Sequence, residues 1–104
     1  MDNNPSTTID WAHAINNRLL VSFRYGGYER LVIPAAYGLN QNTGNRLVRG
    51  YQIGGGDRTR RVPAWSLFNV NKVQNGQITE EHFEDNPPGY KRNDGDMDVI
   101  YAQL

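Results

Sequence analysis

From Ile9 to Leu19 the apolar positions return with a roughly helical period, at Ile9, Trp11, Ala12, Ala14, Ile15 and Leu19. That spacing predicts one amphipathic helix over about residues 8–17, ending near Asn16-Asn17. Ser6, Thr7, Thr8 and Asp10 offer N-cap side chains, with Thr7 and Asp10 at capping-box spacing. From Leu19 the period drops to two. Val21, Phe23 and Tyr25 alternate with Ser22 and Arg24, Gly26-Gly27 follows, and a second β-rich run extends from Tyr28 to Ile33 before Pro34. Runs joined by Gly-Gly predict a tight hairpin, because both turn positions accept positive φ. A polar loop over 38–45 precedes a third strand from Arg46 to Ile53. Gly54-Gly55-Gly56-Asp57 is a turn, Arg58 to Val62 a fourth strand closed by Pro63, and Leu67 to Val73 a fifth. Asn75-Gly76 marks a further turn and Ile78 to Phe83 a single helical turn. One helix followed by five short strands outlines a mainly β chain, a small bent SH3-like or Sm-like barrel that closes to remove its edges.

Length favours one domain, since 104 residues bury one modest core. The organisation expected is a barrel with its helix over 1–85 and an irregular acidic segment over 86–104. In that segment Asn86-Pro87-Pro88-Gly89 breaks regular structure, and Val99-Ile100-Tyr101 is apolar enough to dock back as a strand. The chain has no cysteine, which excludes disulfides, a thiol nucleophile and thiolate metal sites. The N-terminus has neither a basic nor an apolar signal region, and no run is long enough to span a membrane, so a cytoplasmic location without membrane contact is expected.

A formal net charge of zero conceals a sharp division. Residues 11–73 hold nine of the eleven cations and only two acids, Glu29 and Asp57, while residues 74–104 hold seven acids against Lys91 and Arg92. Eight of the nine body cations are arginine, whose planar fork suits phosphate, carboxylate and base stacking. A basic body beside an acidic tail points to an anion-binding surface that the tail can shield.

Several short pieces in order resemble the WYL domain, a small Sm/SH3-like barrel of bacterial regulators. They are Ala14-Ile15, Arg18, Val21-x-Phe23-x-Tyr25, Arg30-x-Val32-x-Pro34, Arg46 to Tyr51, and Arg60-x-Val62 with Leu67, across about residues 9–73. At the place of the tripeptide that names the family stands Arg46-Leu47-Val48, and the chain has no room for the helix-turn-helix that usually precedes such domains. The resemblance implies ligand sensing through a basic pocket, with roles in transcription regulation, DNA-damage response or phage defence. It also implies Tyr25, Arg30 and Arg60 as pocket residues, with the Arg46–Tyr51 strand alongside.

Strand alternation puts Leu47, Arg49, Tyr51 and Ile53 on one face of the third strand and Arg46, Val48, Gly50 and Gln52 on the other. Arg49 on an apolar face requires a barrel mouth or an anionic partner, because a buried unpaired charge is prohibitive. Arg58, Arg60 and Arg61 lie across the glycine turn and can converge with it on one rim, or else serve as solvated strand residues that discourage edge pairing. Tyr25, Tyr28, Tyr37, Tyr51 and Trp65 can stack on bases or pack in the core. The glycine run lacks the Gly-Lys-Ser/Thr ending of a phosphate loop, and Asp94-Gly95-Asp96-Met97-Asp98 lacks the spacing of a calcium loop. His13 and His82 lie at opposite ends of the chain, and no compact acid–base set accompanies them.

The expected function is therefore non-catalytic and without cofactor or metal: a sensor of single-stranded nucleic acid or a nucleotide-like anion. Arg46, Arg49, Arg58, Arg60 and Arg61 supply charge, Arg30 a pocket contact, and Tyr25 and Tyr51 stacking or hydroxyl contacts. The alternative is a protein-interaction module, an accessory or inhibitor of a regulator or defence component. It would act through edge strands and the acidic tail, or as a homodimer.

Overall fold

The computed structural model describes residues 8–104, so the cap reading at Ser6 and Thr7 lies outside the described residues. Helix α1 (Trp11–Asn16) is shorter than its apolar period and is capped by Asp10, whose carboxylate accepts from the His13 N–H at 3.0 Å. Six antiparallel strands follow: β1 (Leu19–Tyr25), β2 (Tyr28–Asn40), β3 (Asn45–Gly55), β4 (Ala64–Asn69), β5 (Gln74–His82) and β6 (Val99–Gln103). Their ladders run β4-β3-β2-β1-β5, with β6 on β2. No ladder joins β4 to β5, so the described residues form a six-stranded antiparallel sheet rather than a hydrogen-bonded closed barrel.

The β1–β2 hairpin turns at Gly26-Gly27 as its sequence predicts, both at positive φ. Strand β2 continues past Pro34 because a bulge absorbs the irregularity: Pro34 pairs with Gly50 and Ala36 with Arg49, leaving Ala35 over. The extra residue changes which positions face inward. Val32 packs in the main core before it and Tyr37 packs against that core after it, while Ala36 turns to a second cluster with Leu47 and Met97. The N-terminal half of β2 thus pairs with β1 and its C-terminal half with β6.

Several local expectations are corrected. The second run passes Pro34 to Asn40, so residues 38–40 and 45 of the expected loop lie in β2 and β3, and Asn75-Gly76 lies within β5 rather than in a turn. Arg58–Val62 is irregular, because its backbone turns back on Asp57 instead of pairing, and the next strand begins at Ala64. The segment read as a strand to Val73 ends at Asn69, whose side chain caps a 3-10 turn over Val70–Lys72. Ile78 to Phe83 is not a helical turn; residues 78–82 belong to β5, which pairs with β1 through Val21–Ile78 and Leu19–His82. In β3 the buried face is Val48, Gly50 and Gln52, while Arg49 and Tyr51 are half-buried and Ile53 is exposed. The main core brings Trp11 and Ala14 of α1 against Val21, Phe23, Val32, Val48 and Phe68, with Phe23 and Phe68 edge-to-face at 5.0 Å.

Gly50 is buried on the inner face of β3, against Val32 and Phe68. A β-carbon there would overlap Val32 Cγ1 and lie 3.5 Å from the Phe68 ring. Gly50→Ala is expected to cost about 1–3 kcal/mol through overpacking, read as a lowered urea midpoint. An unchanged midpoint would mean that β2 and β3 do not approach this closely.

Candidate anion-binding cleft

Arg30 points inward from β2 and is only 7% exposed. A guanidinium can rest there because every side of it is answered. Its Nη1 donates to Asp57 Oδ2 at 2.7 Å and to Gln52 Oε1 at 3.2 Å, and its Nε and Nη2 donate to the Tyr25 carbonyl at 3.1 and 2.9 Å. The Tyr25 and Phe68 rings lie 5.4 and 5.7 Å from the guanidinium carbon. Tyr25 is in turn held by its hydroxyl, which accepts from the Asn69 N–H at 3.0 Å.

Asp57 performs two tasks with its two oxygens. Oδ2 meets Arg30, while Oδ1 accepts from the Thr59 and Arg60 N–H groups at 2.9 and 3.1 Å, closing an Asx turn after the glycine run. The Thr59 N–H first, and then the Arg30 guanidinium, hold the Asp57 carboxyl down at about 2. This turn presents Arg60, whose Nη1 reaches back to the Trp65 carbonyl at 2.6 Å and Ser66 Oγ at 3.1 Å.

Arg49 completes the group from β3, opposite Leu67. Its Nε and Nη2 grip Asp94 at 2.7 and 3.2 Å, and Nη2 also meets Asp96 at 2.6 Å. The bond from Arg49 holds the Asp94 carboxyl below its ordinary range, and that carboxylate raises Arg49 in return. The anionic partner required for Arg49 is thus supplied by the C-terminal segment. That segment is no loose tail: Met97 and Ala102 are buried, and β6 pairs with β2.

Tyr25, Arg30, Arg49 and Arg60 line one open cleft of about 310 Å³, together with Asp57, Thr59 and Ser66. The other expected site residues lie elsewhere. Arg46 sits over the Tyr101 ring at 5.9 Å, Tyr51 packs on Trp65 at 5.2 Å, and Arg58 and Arg61 are exposed without an ion pair among the described residues. Asp57, Ser66 and Asp94 were not among the expected site residues. The Gly-Gly-Gly-Asp-x-Thr run carries a legible signal for Asp57, because Asp two residues before Thr favours an Asx turn.

A second cleft of about 390 Å³ adjoins the first across Arg49 and is bordered by Trp65, Tyr90, Lys91 and Arg92. Chemically, the first cleft can hold an oxyanion. Arg60 has only neutral acceptors there, while Arg49 and Arg30 already hold carboxylates. Compared with protein-family models, curated proteins and solved structures, the chain finds no match.

Asp57→Asn removes the anionic answer to Arg30 and is expected to cost about 1–3 kcal/mol at neutral pH. Because the folded carboxyl titrates at about 2, below its ordinary 3.8, its contribution is complete above the ordinary value and fades as pH falls through about 2. Thermal unfolding of both proteins from pH 7 to pH 2 should therefore show a gap that narrows on acidification. A gap independent of pH would contradict the pairing.

Proposed function

We propose that this chain is a non-catalytic sensing or regulatory module that binds an anionic ligand in the arginine cleft. The ligand is single-stranded nucleic acid or a nucleotide-type signal. The observation that carries this reading is the convergence of Arg30, Arg49 and Arg60 with Tyr25 on one opening. Arg49 and Arg60, held at one mouth beside the buried Arg30, suit phosphate oxygens, which accept the paired N–H bonds that Arg presents. The three cations have different tasks. Arg30 is a positioning residue, spent on Asp57 and the Tyr25 carbonyl; Arg60 makes first contact; and Arg49 exchanges Asp94 and Asp96 for the ligand.

The same reading takes the domain as a divergent WYL-like fold of the SH3/Sm-barrel kind. Support for the barrel comes from the two ends of the sheet, since Phe68 of β4 and Ile78 of β5 pack on one core cluster. Support for the resemblance comes from Tyr25, Arg30 and Arg60 sharing the cleft.

Fluorescence anisotropy with labelled single-stranded DNA across a salt series tests the function. The native chain should bind with an affinity that falls as salt rises. Arg49→Ala/Arg60→Ala should flatten the logarithmic salt slope by about 1.4, at roughly 0.7 for each phosphate contact on a single strand. Salt-independent binding would overturn the reading, and no binding would remove the polymer and leave the nucleotide-type signal. In the same assay Asp94→Asn/Asp96→Asn should raise affinity, because it frees Arg49 from its internal anions. An unchanged affinity would show that these carboxylates do not compete with the ligand.

A further inference from the structure

We propose that the second cleft is a nucleobase pocket. A base lies against the Trp65 and Tyr90 rings, and Lys91 and Arg92 meet the phosphate of the same nucleotide. The inference rests on the nucleic-acid reading above and adds to it the part of the ligand that phosphate contacts leave unread.

The aromatic wall is built and braced. Tyr90 stacks on Trp65, 28° from parallel with centroids 6.4 Å apart, and Tyr51 packs tilted on Trp65 at 5.2 Å, so a base would extend this stack. Their polar atoms are already committed to backbone carbonyls. Trp65 Nε1 donates to the Pro88 carbonyl at 2.8 Å, and the Tyr90 hydroxyl donates to the Leu104 carbonyl at 2.7 Å. Both ring planes are therefore held before any ligand arrives, which lowers the ordering cost of stacking.

The local sequence explains how Tyr90 comes to face Trp65. Its N–H closes a turn on the Pro87 carbonyl at 3.2 Å, with Pro88 in the first corner and Gly89 at φ +80° in the second. That is the Pro-Gly pattern of a type II turn. A side chain at Gly89 would be strained at that φ and would meet Trp65 Nε1 at 3.4 Å.

Charge and size agree with the ligand. Lys91 and Arg92 are the only cations beyond residue 73, in a segment otherwise dominated by acids, and both border this cleft. Asp94 and Asp96, which also border the cleft, are engaged by Arg49, and Lys91 and Arg92 have no ion pair among the described residues. Its volume, about 390 Å³, falls in the range of small-ligand pockets. Arg49 borders both clefts, so a strand leaving one for the other crosses a guanidinium between bases.

The test uses the full chain and two probes: anisotropy of a labelled oligo-dA strand, and quenching of tryptophan emission by AMP. Trp11 is 3% exposed, so quenching reports Trp65. Tyr90→Leu should weaken oligo-dA binding at least about fivefold, the lower end for losing one aromatic stack. Tyr90→Phe, which keeps the ring and loses the hydroxyl with its bond to Leu104 and its contact with Arg92, should stay close to the native affinity. Should Tyr90→Leu fail to fold, Lys91→Ala/Arg92→Ala takes its place with the same expected loss. If the native chain binds oligo-dA and Tyr90→Leu binds it equally well, the base pocket is overturned while the arginine cleft stands. Equal loss in Tyr90→Leu and Tyr90→Phe would assign Tyr90 a structural role and likewise overturn it. AMP quenching without oligo-dA binding would keep the pocket as a nucleotide site and remove the polymer from the reading above. Silence from both probes would overturn it outright.

Discussion

A guanidinium carried into the edge of a hydrophobic core is the constraint on which the cleft depends. Arg30 occupies an inward position of β2, where an apolar side chain would pack without cost. Its charge can stay there only because Asp57, Gln52 and the Tyr25 carbonyl close around it. The answering groups come from separate parts of the chain: the β1–β2 hairpin, β3, and the irregular segment after β3. Satisfying Arg30 therefore draws that segment onto the sheet, and the Asx turn at Asp57 then delivers Arg60 to the same opening. Core packing and site assembly share one polar junction.

The second organising feature is the folding of the acidic segment onto the basic body. Separation of charge along the sequence becomes pairing of charge in space, since Asp94 and Asp96 meet Arg49 while β6 pairs with β2 and Met97 packs on Ala36 and Leu47. Asp94 is shielded, with its side chain 8% exposed, whereas Asp96 is 58% exposed and screened by salt. The first contact is thus the stronger brace. The same segment supplies Tyr90, Lys91 and Arg92, so it both restrains the charge of one cleft and forms the wall of the other.

The parts of the fold that were legible are those where local chemistry and tertiary structure agree. The helix at Trp11, the Gly26-Gly27 hairpin, the third strand and the return of Val99–Tyr101 follow from period and turn residues. The misread parts have tertiary causes. By local chemistry the second run ends before Pro34, whereas the bulge at Ala35 absorbs the proline and lets β2 continue to Asn40. The inner face of β3 carries Gly50 and Gln52, a gap and a polar residue, which made the Leu47–Arg49–Tyr51 face look like the core. Ile78–Phe83 is mostly polar, and only its ladder with β1 makes residues 78–82 a strand. At the site, Tyr25, Arg30, Arg49 and Arg60 could be singled out by charge, alternation and resemblance. That Arg58 and Arg61 stay outside follows from the turn at Asp57, which replaces strand alternation with an irregular path.

In the proposed function, the arginines of one cleft divide into a buried support, Arg30, and ligand-facing contacts, Arg49 and Arg60. The most direct test follows the arginine Nε–H resonances of the full chain while unlabelled single-stranded DNA is added. Arg60 and Arg49 should shift progressively, and Arg30, enclosed by its own partners, should move little. Equal small shifts across all the arginines, Arg46 and Arg58 included, would indicate diffuse surface attraction and contradict the cleft as the binding site.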